Sequence, residues 1–316
     1  RGVADMGLRP DRLPGHAPLD DPAARGRCKQ VWGAAAPRRV GLSAAEAWGA
    51  VADGRVRALY LAGADPLSEA PDPQAVAAAL AAADFVVVQD AFLTPTAARA
   101  HVVLPAAAYG EEDGSTTNLA GWVGWQRAVM APLGEARPHW RILADVARSL
   151  GALGRWDYEG ASDVLAEAAR LIPAYAGATT VLSGGGYDAR FDYALAAEPA
   201  PPAPWPLEGK GELVLLSGPV LFDRDGVSAR APAVAARAPA PYAALNPADA
   251  ARLGIADGSA VEVRGAQGAL GAVARVQEGV PGGAVFVPEH LGAESVAVLG
   301  GRPGVLTLVE VRPDVD

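Results

Sequence analysis

The sequence predicts an α/β protein, a doubly wound, mostly parallel sheet domain followed by a small β-barrel. Three observations predict these two parts. Two short apolar runs, Phe85-Val86-Val87-Val88 and Val102-Val103-Leu104-Pro105, are too short for helices and rich in β-branched residues, as strands buried in a parallel sheet are. A Pro/Ala-rich run from Glu198 to Pro206 has the composition of a linker. After Gly211 the pattern changes to short strands separated by glycine turns, which suits a small barrel. The expected division is an α/β domain over 1–175, a Pro/Ala/Gly-rich linker over 176–210 and the barrel over 211–316.

Taken in order, residues 1–37 carry many Pro, Gly and charged residues with little periodicity, so a long irregular surface segment is expected, with His16 a solvated loop histidine. Ser43 followed by Glu46 forms a capping box that opens a helix running to about Ala52. Val56 to Ala62 reads as a buried strand ending in Gly63-Ala64-Asp65-Pro66, and Pro73 to Ala82 as a helix. Gln89 and Asp90 then stand at the carboxyl end of the Phe85–Val88 strand, where doubly wound sheets bind ligands. Thr94 can cap a short helix with Pro95 at its first position, and His101 reads as a packed histidine. Tyr109 to Asn118 is a polar loop in which Glu111, Glu112 and Asp113 oppose phosphate binding. Pro138 to Leu150 is a helix with Trp140, Leu143, Ala144, Ala147 and Leu150 on its apolar face; Ser162 to Leu171 is another, capped by Ser162. In the barrel, Leu213–Leu216, Ala260–Arg264, Gly268–Val276 and Ala284–Pro288 read as strands, and Asn246–Ile255 as a short capped helix.

Composition excludes several functions. Among 316 residues the net charge is −9 and the pI near 5.0, so there is no basic footprint for nucleic acid or an anionic membrane. Cys28 is the single cysteine, which rules out an internal disulfide and a multi-cysteine iron–sulfur site within this sequence. No charge-free run of about 18 apolar residues is present, so no membrane-spanning helix is expected. The sequence opens at Arg1 without a signal-peptide pattern and is expected to be the C-terminal part of a longer polypeptide.

The ordered series Val88-Gln89-Asp90, Phe92, Thr94, Thr96-Ala97, Val102-Val103-Leu104-Pro105-Ala106, Glu112, Gly114, Asn118 and Gly134-Glu135-Ala136-Arg137-Pro138-His139-Trp140 resembles the molybdopterin oxidoreductase superfamily. Arg1-Gly2-Val3-Ala4-Asp5-Met6-Gly7, Leu59 to Pro66 and the Asn246-Pro247…Gly258…Val263 stretch resemble it too, and the last of these implies that the barrel is of the double-psi type. The resemblance implies a pocket for a pterin dinucleotide lined by Asp65, Gln89, Asp90, Thr94 and Asn118, if that pocket is retained. Read from the residues alone, Asp65 is equally a turn cap. Departures from the pattern are Asp65 where Asn is common, His101 for Asp, Trp122 where an arginine would stand, and a C-terminal stretch without the basic motif.

Within the superfamily, the stretch Leu216 to Gly226 and the following Leu245-Asn246-Pro247 are most similar to the large iron–sulfur G-type polypeptide of bacterial NADH–quinone oxidoreductase, respiratory complex I. That implies a scaffold on the cytoplasmic side of the inner membrane, packed against other subunits of the peripheral arm. No catalytic or metal-ligating residue and no cofactor is then expected in this segment; iron–sulfur clusters are expected upstream. The alternative implied is the C-terminal half of a formate dehydrogenase-like enzyme holding molybdopterin guanine dinucleotide with Mo or W.

Overall fold

The computed structural model describes residues 1–152, 156–190, 207–209, 211–222, 226–289, 296–300 and 306–314. They fall into two compact units, one of Arg1–Asp65 with Ala78–Glu198 and one of Pro66–Ala77 with Pro199–Asp316.

Up to residue 190 the elements are α1 (Gly2–Asp5), β1 (Arg12–Leu13), β2 (Ala17–Pro18), α2 (Pro22–Trp32), α3 (Ala44–Ala52), β3 (Ala58–Ala62), α4 (Pro66–Glu69), α5 (Pro73–Ala82), β4 (Phe85–Asp90), β5 (Val102–Pro105), β6 (Gly114–Thr117), β7 (Trp122–Gln126), α6 (His139–Ser149), α7 (Ala161–Leu171) and β8 (Tyr187–Asp188). The two apolar runs pair in parallel, as expected, in a sheet of order β3-β4-β5, but only β4 is buried: no residue of β3 or β5 is, against the expectation of buried strands. Its two faces differ. Val86 and Val88 are fully buried, whereas Phe85 on the opposite face is 46% exposed, and Tyr60 and Val102, in register with Val87 between them, are 38% and 37% exposed. A second core gathers Leu13, Ala24, Cys28, Val123, Leu165, Leu171, Ile172, Tyr175, Ala178, Val181 and Ala189.

The structure corrects several sequence expectations in this unit. The opening segment is not irregular: α2 is capped by Asp21, whose carboxylate accepts from Ala24 N at 2.6 Å, starts on Pro22 and closes on Gly33 in the left-handed region. Only Ala24 and Cys28 of this helix are buried, so its inward stripe is too small to show as hydrophobic periodicity. His16 is not a solvated histidine; its Nε2 lies 2.6 Å from Oδ1 of the fully buried Asp5. The helix expected after Thr94 is one 3-10 turn, Ala97–Arg99. The buried residues of α6 are Ile142 and Ala144, while Leu143 and Leu150 are exposed. Helix α7 is capped at Gly160, not Ser162; the Asp163 carboxylate accepts from Glu159 N and Gly160 N. Burial of Ala178, Val181 and Ala189 carries the packed structure into the stretch expected to be linker, and Glu198 to Pro206 lies outside the described residues.

The other unit contains β9 (Leu207–Gly209), β10 (Leu213–Gly218), α8 (Gly226–Arg230), α9 (Pro232–Ala235), β11 (Tyr242–Leu245), α10 (Pro247–Leu253), β12 (Ala260–Arg264), β13 (Ala269–Val276), β14 (Ala284–Pro288) and β15 (Leu306–Pro313). Strands β10-β14-β11-β13-β12-β15 form a six-stranded barrel closed by pairing of β10 with β15, and β9 adds to β15. Within the barrel the pairs β10/β14 and β11/β13 are parallel and the others antiparallel, consistent with a double-psi barrel, and the added β9 runs parallel to β15. Inward residues alternate along the strands, as Val261 and Val263 or Leu270, Ala272 and Ala274 do. Fully burying a side chain such as Leu213, Leu245 or Leu299 contributes about 1.5–3 kcal/mol. The Asn-Pro-x-Asp signature serves this fold: Asn246 Oδ1 accepts from Ala248 N, its Nδ2 donates to Val280 O, and the buried Asp249 accepts from Gly283 N.

Candidate functional site

The carboxyl ends of β3 and β4 meet at a knot of polar side chains. Gly63, at φ +61°, turns the chain out of β3 while its N–H donates to Gln89 O. Two residues on, Asp65 Oδ1 accepts from both the N–H and the hydroxyl of Thr96. Thr94 Oγ1 accepts from Ala97 N at 3.1 Å and so caps the same 3-10 turn. Asp90 Oδ1 accepts from Phe92 N at 2.9 Å, an Asx-type turn that bends the chain away from β4.

Gln89 is fully buried. Its Oε1 accepts from Tyr60 Oη at 2.6 Å; its Nε2 lies 3.1 Å from His139 O and 2.7 Å from His139 Nδ1. A backbone carbonyl only accepts, so the amide group facing it is the NH2, and Oε1 faces Tyr60. Burial pushes the Tyr60 hydroxyl above its usual pKa, which keeps it a donor. His139 N donates to Glu112 Oε2 at 3.0 Å, placing a carboxylate at the N-terminus of α6 where the helix dipole favours one.

Asp65, Gln89, Asp90 and Thr94 therefore surround the β3 and β4 ends. Asn118 lies instead in the exposed turn between β6 and β7, with Oδ1 accepting from Trp122 N and its own N–H donating to Trp122 O. Tyr60, Thr96, Glu112 and His139 complete the strand-end network, although no periodicity in the sequence marks them as site residues. Glu112 and Thr96 do belong to the superfamily pattern, and that was the available signal. His101 uses Nδ1 to accept from Val86 N at 3.0 Å, but it is exposed and so is not the packed histidine expected from the sequence. Burial raises the Cys28 thiol pKa, which makes it a poor nucleophile. Among the described residues no group of three His, Cys, Asp or Glu could hold a metal ion.

A second polar cluster is buried around Asp5, which accepts from Tyr175 Oη at 2.8 Å and pairs with Arg1 and His16. Tyr175 Oη is also 2.8 Å from Thr117 Oγ1. Arg1 carries the link onward by donating to the carbonyls of Leu119 and Ala189.

A model of the molybdopterin oxidoreductase family matches residues 24–149, and one of the molydopterin dinucleotide binding domain matches 213–314. The chain belongs to the molybdopterin oxidoreductase family. Its family relatives include the G 2 subunit of the NADH-quinone oxidoreductase of Rhizobium meliloti, 37% identical over 98% of this chain and 36% of that protein. The NADPH-Fe(3+) oxidoreductase subunit alpha of Geobacter sulfurreducens is 31% identical over 99% of this chain and 36% of its own length. The F420-dependent formate dehydrogenase 2 subunit alpha of Methanococcus maripaludis is 31% identical over 92% and 46%. This chain thus spans less than half the length of each of these curated relatives. In fold it is similar to acetylene hydratase from Pelobacter acetylenicus, with a TM-score of 0.64 at 18% identity, covering 92% of this chain and 50% of that one. No helix of the described residues is long and apolar enough to cross a membrane.

The family implies a molybdopterin dinucleotide, whose pyrophosphate needs cationic or N–H donors. The strand ends described here offer the opposite: Asp65, Asp90 and Glu112 are acceptors, and Glu112 already occupies the helix N-terminus. In the barrel, Arg252 pairs with Glu212 and Asp249, Arg264 with Glu262 and Arg312 with Glu310. These residues do not fit the anionic part of that group.

Proposed function

We propose that this chain is the C-terminal scaffold of the large iron–sulfur subunit of an NADH–quinone-type oxidoreductase. Electrons pass through clusters held elsewhere in the polypeptide and in partner subunits, and no residue of this segment is catalytic. The observation that carries this reading is the inward use of the strand-end groups: Gln89 is saturated by Tyr60 and His139, Thr94 caps a turn, and Asp65 holds Thr96. The likeness to the Rhizobium meliloti G 2 subunit along nearly the whole chain supports it. On this reading the protein sits at the cytoplasmic face of the inner membrane, docked to the other subunits of the peripheral arm.

The test is elemental analysis and oxidised-pterin fluorescence on the full-length protein from its native host. Iron without pterin, molybdenum or tungsten is the expected result. Molybdenum or tungsten at one per chain together with pterin would instead establish a second reading, a formate dehydrogenase-like enzyme. That reading is favoured by the dinucleotide-binding domain match over 213–314 and by the likeness to the Methanococcus maripaludis protein.

A further inference from the structure

Away from the strand ends, three tryptophans gather around Tyr158 and one carboxylate. The rings of Trp140 and Trp156 stand edge-on to Tyr158 with centroids 6.5 and 6.4 Å away, inside the range of contacting aromatic pairs. Tyr158 Oη donates to Glu167 Oε2 at 2.8 Å, and Trp32 Nε1–H donates to Glu167 Oε1 at 3.1 Å. The Arg141 guanidinium lies 4.5 Å over the Trp140 ring, anchored by the carbonyls of Tyr158 and Glu159, and Arg170 approaches Glu167 at 3.9 Å. The cluster therefore already holds the cations that an aromatic cage would otherwise take from a ligand. Burial first, and then the Glu167 hydrogen bond and charge, push the Tyr158 hydroxyl above its usual range. Tyr158 is thus a full phenol at neutral pH with its proton directed at a base. A phenol gives up an electron readily only when its proton leaves too, and Glu167 is placed to take it.

We propose that Tyr158 and Glu167 form a proton-coupled radical trap fed by Trp140 and Trp156, a redox activity separate from any cluster or cofactor. The co-reactant is an oxidising radical strong enough to take one electron from an indole. That radical is reduced, and Trp140 or Trp156 becomes an indole radical cation. The indole then takes one electron from Tyr158, while the phenolic proton moves along the 2.8 Å hydrogen bond to Glu167 Oε2. The products are a neutral indole, a Tyr158 phenoxyl radical and a protonated Glu167, so electrons, protons and charge balance. The Arg141 guanidinium disfavours positive charge on Trp140 and so favours the onward transfer. This activity would serve a scaffold and an enzyme alike.

The test is one-electron oxidation of the full-length protein by a photo-oxidised ruthenium polypyridyl in the presence of a nitroso spin trap, with the labelled residues found by peptide mass spectrometry. The label is expected mainly on the half-buried Tyr158, although Tyr109 is 76% exposed. E167Q, which still accepts from Trp32 but cannot take a proton, should lower the Tyr158 label about a hundredfold, the low end of what a positioned base contributes. Y158F should leave the label on Trp140 and Trp156 instead. Label that follows exposure, with Tyr109 ahead of Tyr158, or a Tyr158 label unchanged in E167Q would overturn the trap. Y158F keeps the Trp32–Glu167 bond and decides the matter if E167Q does not fold: no label on Trp140 or Trp156 in that variant would overturn it too.

Discussion

Tyr60 donates to a carbonyl from which water is excluded, so removing its hydroxyl leaves Gln89 Oε1 buried without a donor. Tyr60→Phe is expected to lower the unfolding free energy by about 1–3 kcal/mol, read as a fall in the urea midpoint at unchanged slope. At Asp5 the stake is larger, because Arg1, His16 and Tyr175 all converge on one carboxylate with no solvent exposure. Asp5→Ala should cost about 3–5 kcal/mol, and an unshifted melting curve would show that the cluster does not bind its members together. Tyr175 adds a pH signature. Burial, with the Asp5 carboxylate adding to it, pushes its hydroxyl up to about 12 from 10.0. The unfolded chain therefore releases this proton first, so stability is full below pH 10 and declines as pH rises towards 12. Tyr175→Phe should flatten that alkaline decline in a series of melts, and a decline of unchanged depth would assign it to other groups. None of these partnerships was legible in the sequence, since Asp5 and Tyr175 are far apart along the chain and a histidine between turn residues gives no sign of the carboxylate it meets.

Helix ends proved more readable than helix faces. Ser43 and Glu46 announced α3, and the capping box is present as both hydrogen bonds. For α2 the same kind of signal was there, Asp21 before Pro22 and Gly33 after Trp32, but it sat among enough Pro and Gly to pass for loop. Asp21→Ala should destabilise the first unit by about 1 kcal/mol, seen as an earlier thermal midpoint. For α6 the helix was found but its inward side only in part, at Ala144. Trp140, Leu143, Ala144, Ala147 and Leu150 satisfy the helical period, yet tertiary packing chose Ile142 and Ala144 and left Leu143 and Leu150 outside. The parallel strands were legible because their apolar runs are short and β-branched, whereas the length of the β4–β5 crossover helix was not, since Thr94 caps a single turn equally well.

The two units solve the problem of strand edges differently. In the first, described residues leave β3 and β5 at the sheet margins with Phe85 and Val102 part-exposed on one face. In the second, the barrel closes on itself and its packing is tight enough that small residues are obligatory: a Cβ on Gly265 would sit 2.0 Å from Leu299 O. Gly265→Ala should therefore destabilise the barrel by about 1–3 kcal/mol, and a variant that melts unchanged would mean that this contact opens freely. The barrel's existence was legible from turns and alternation; its closure was not, because no local pattern tells β10 that its partner is β15. That seam joins Leu213 to Val309, almost a hundred residues apart. During synthesis β10 leaves the ribosome long before β14 and β15, and until they follow it has neither of its neighbours. The barrel is thus a late-maturing part of the nascent chain, and its first strand depends on chaperone cover or slow translation more than any strand of the β3–β5 sheet does.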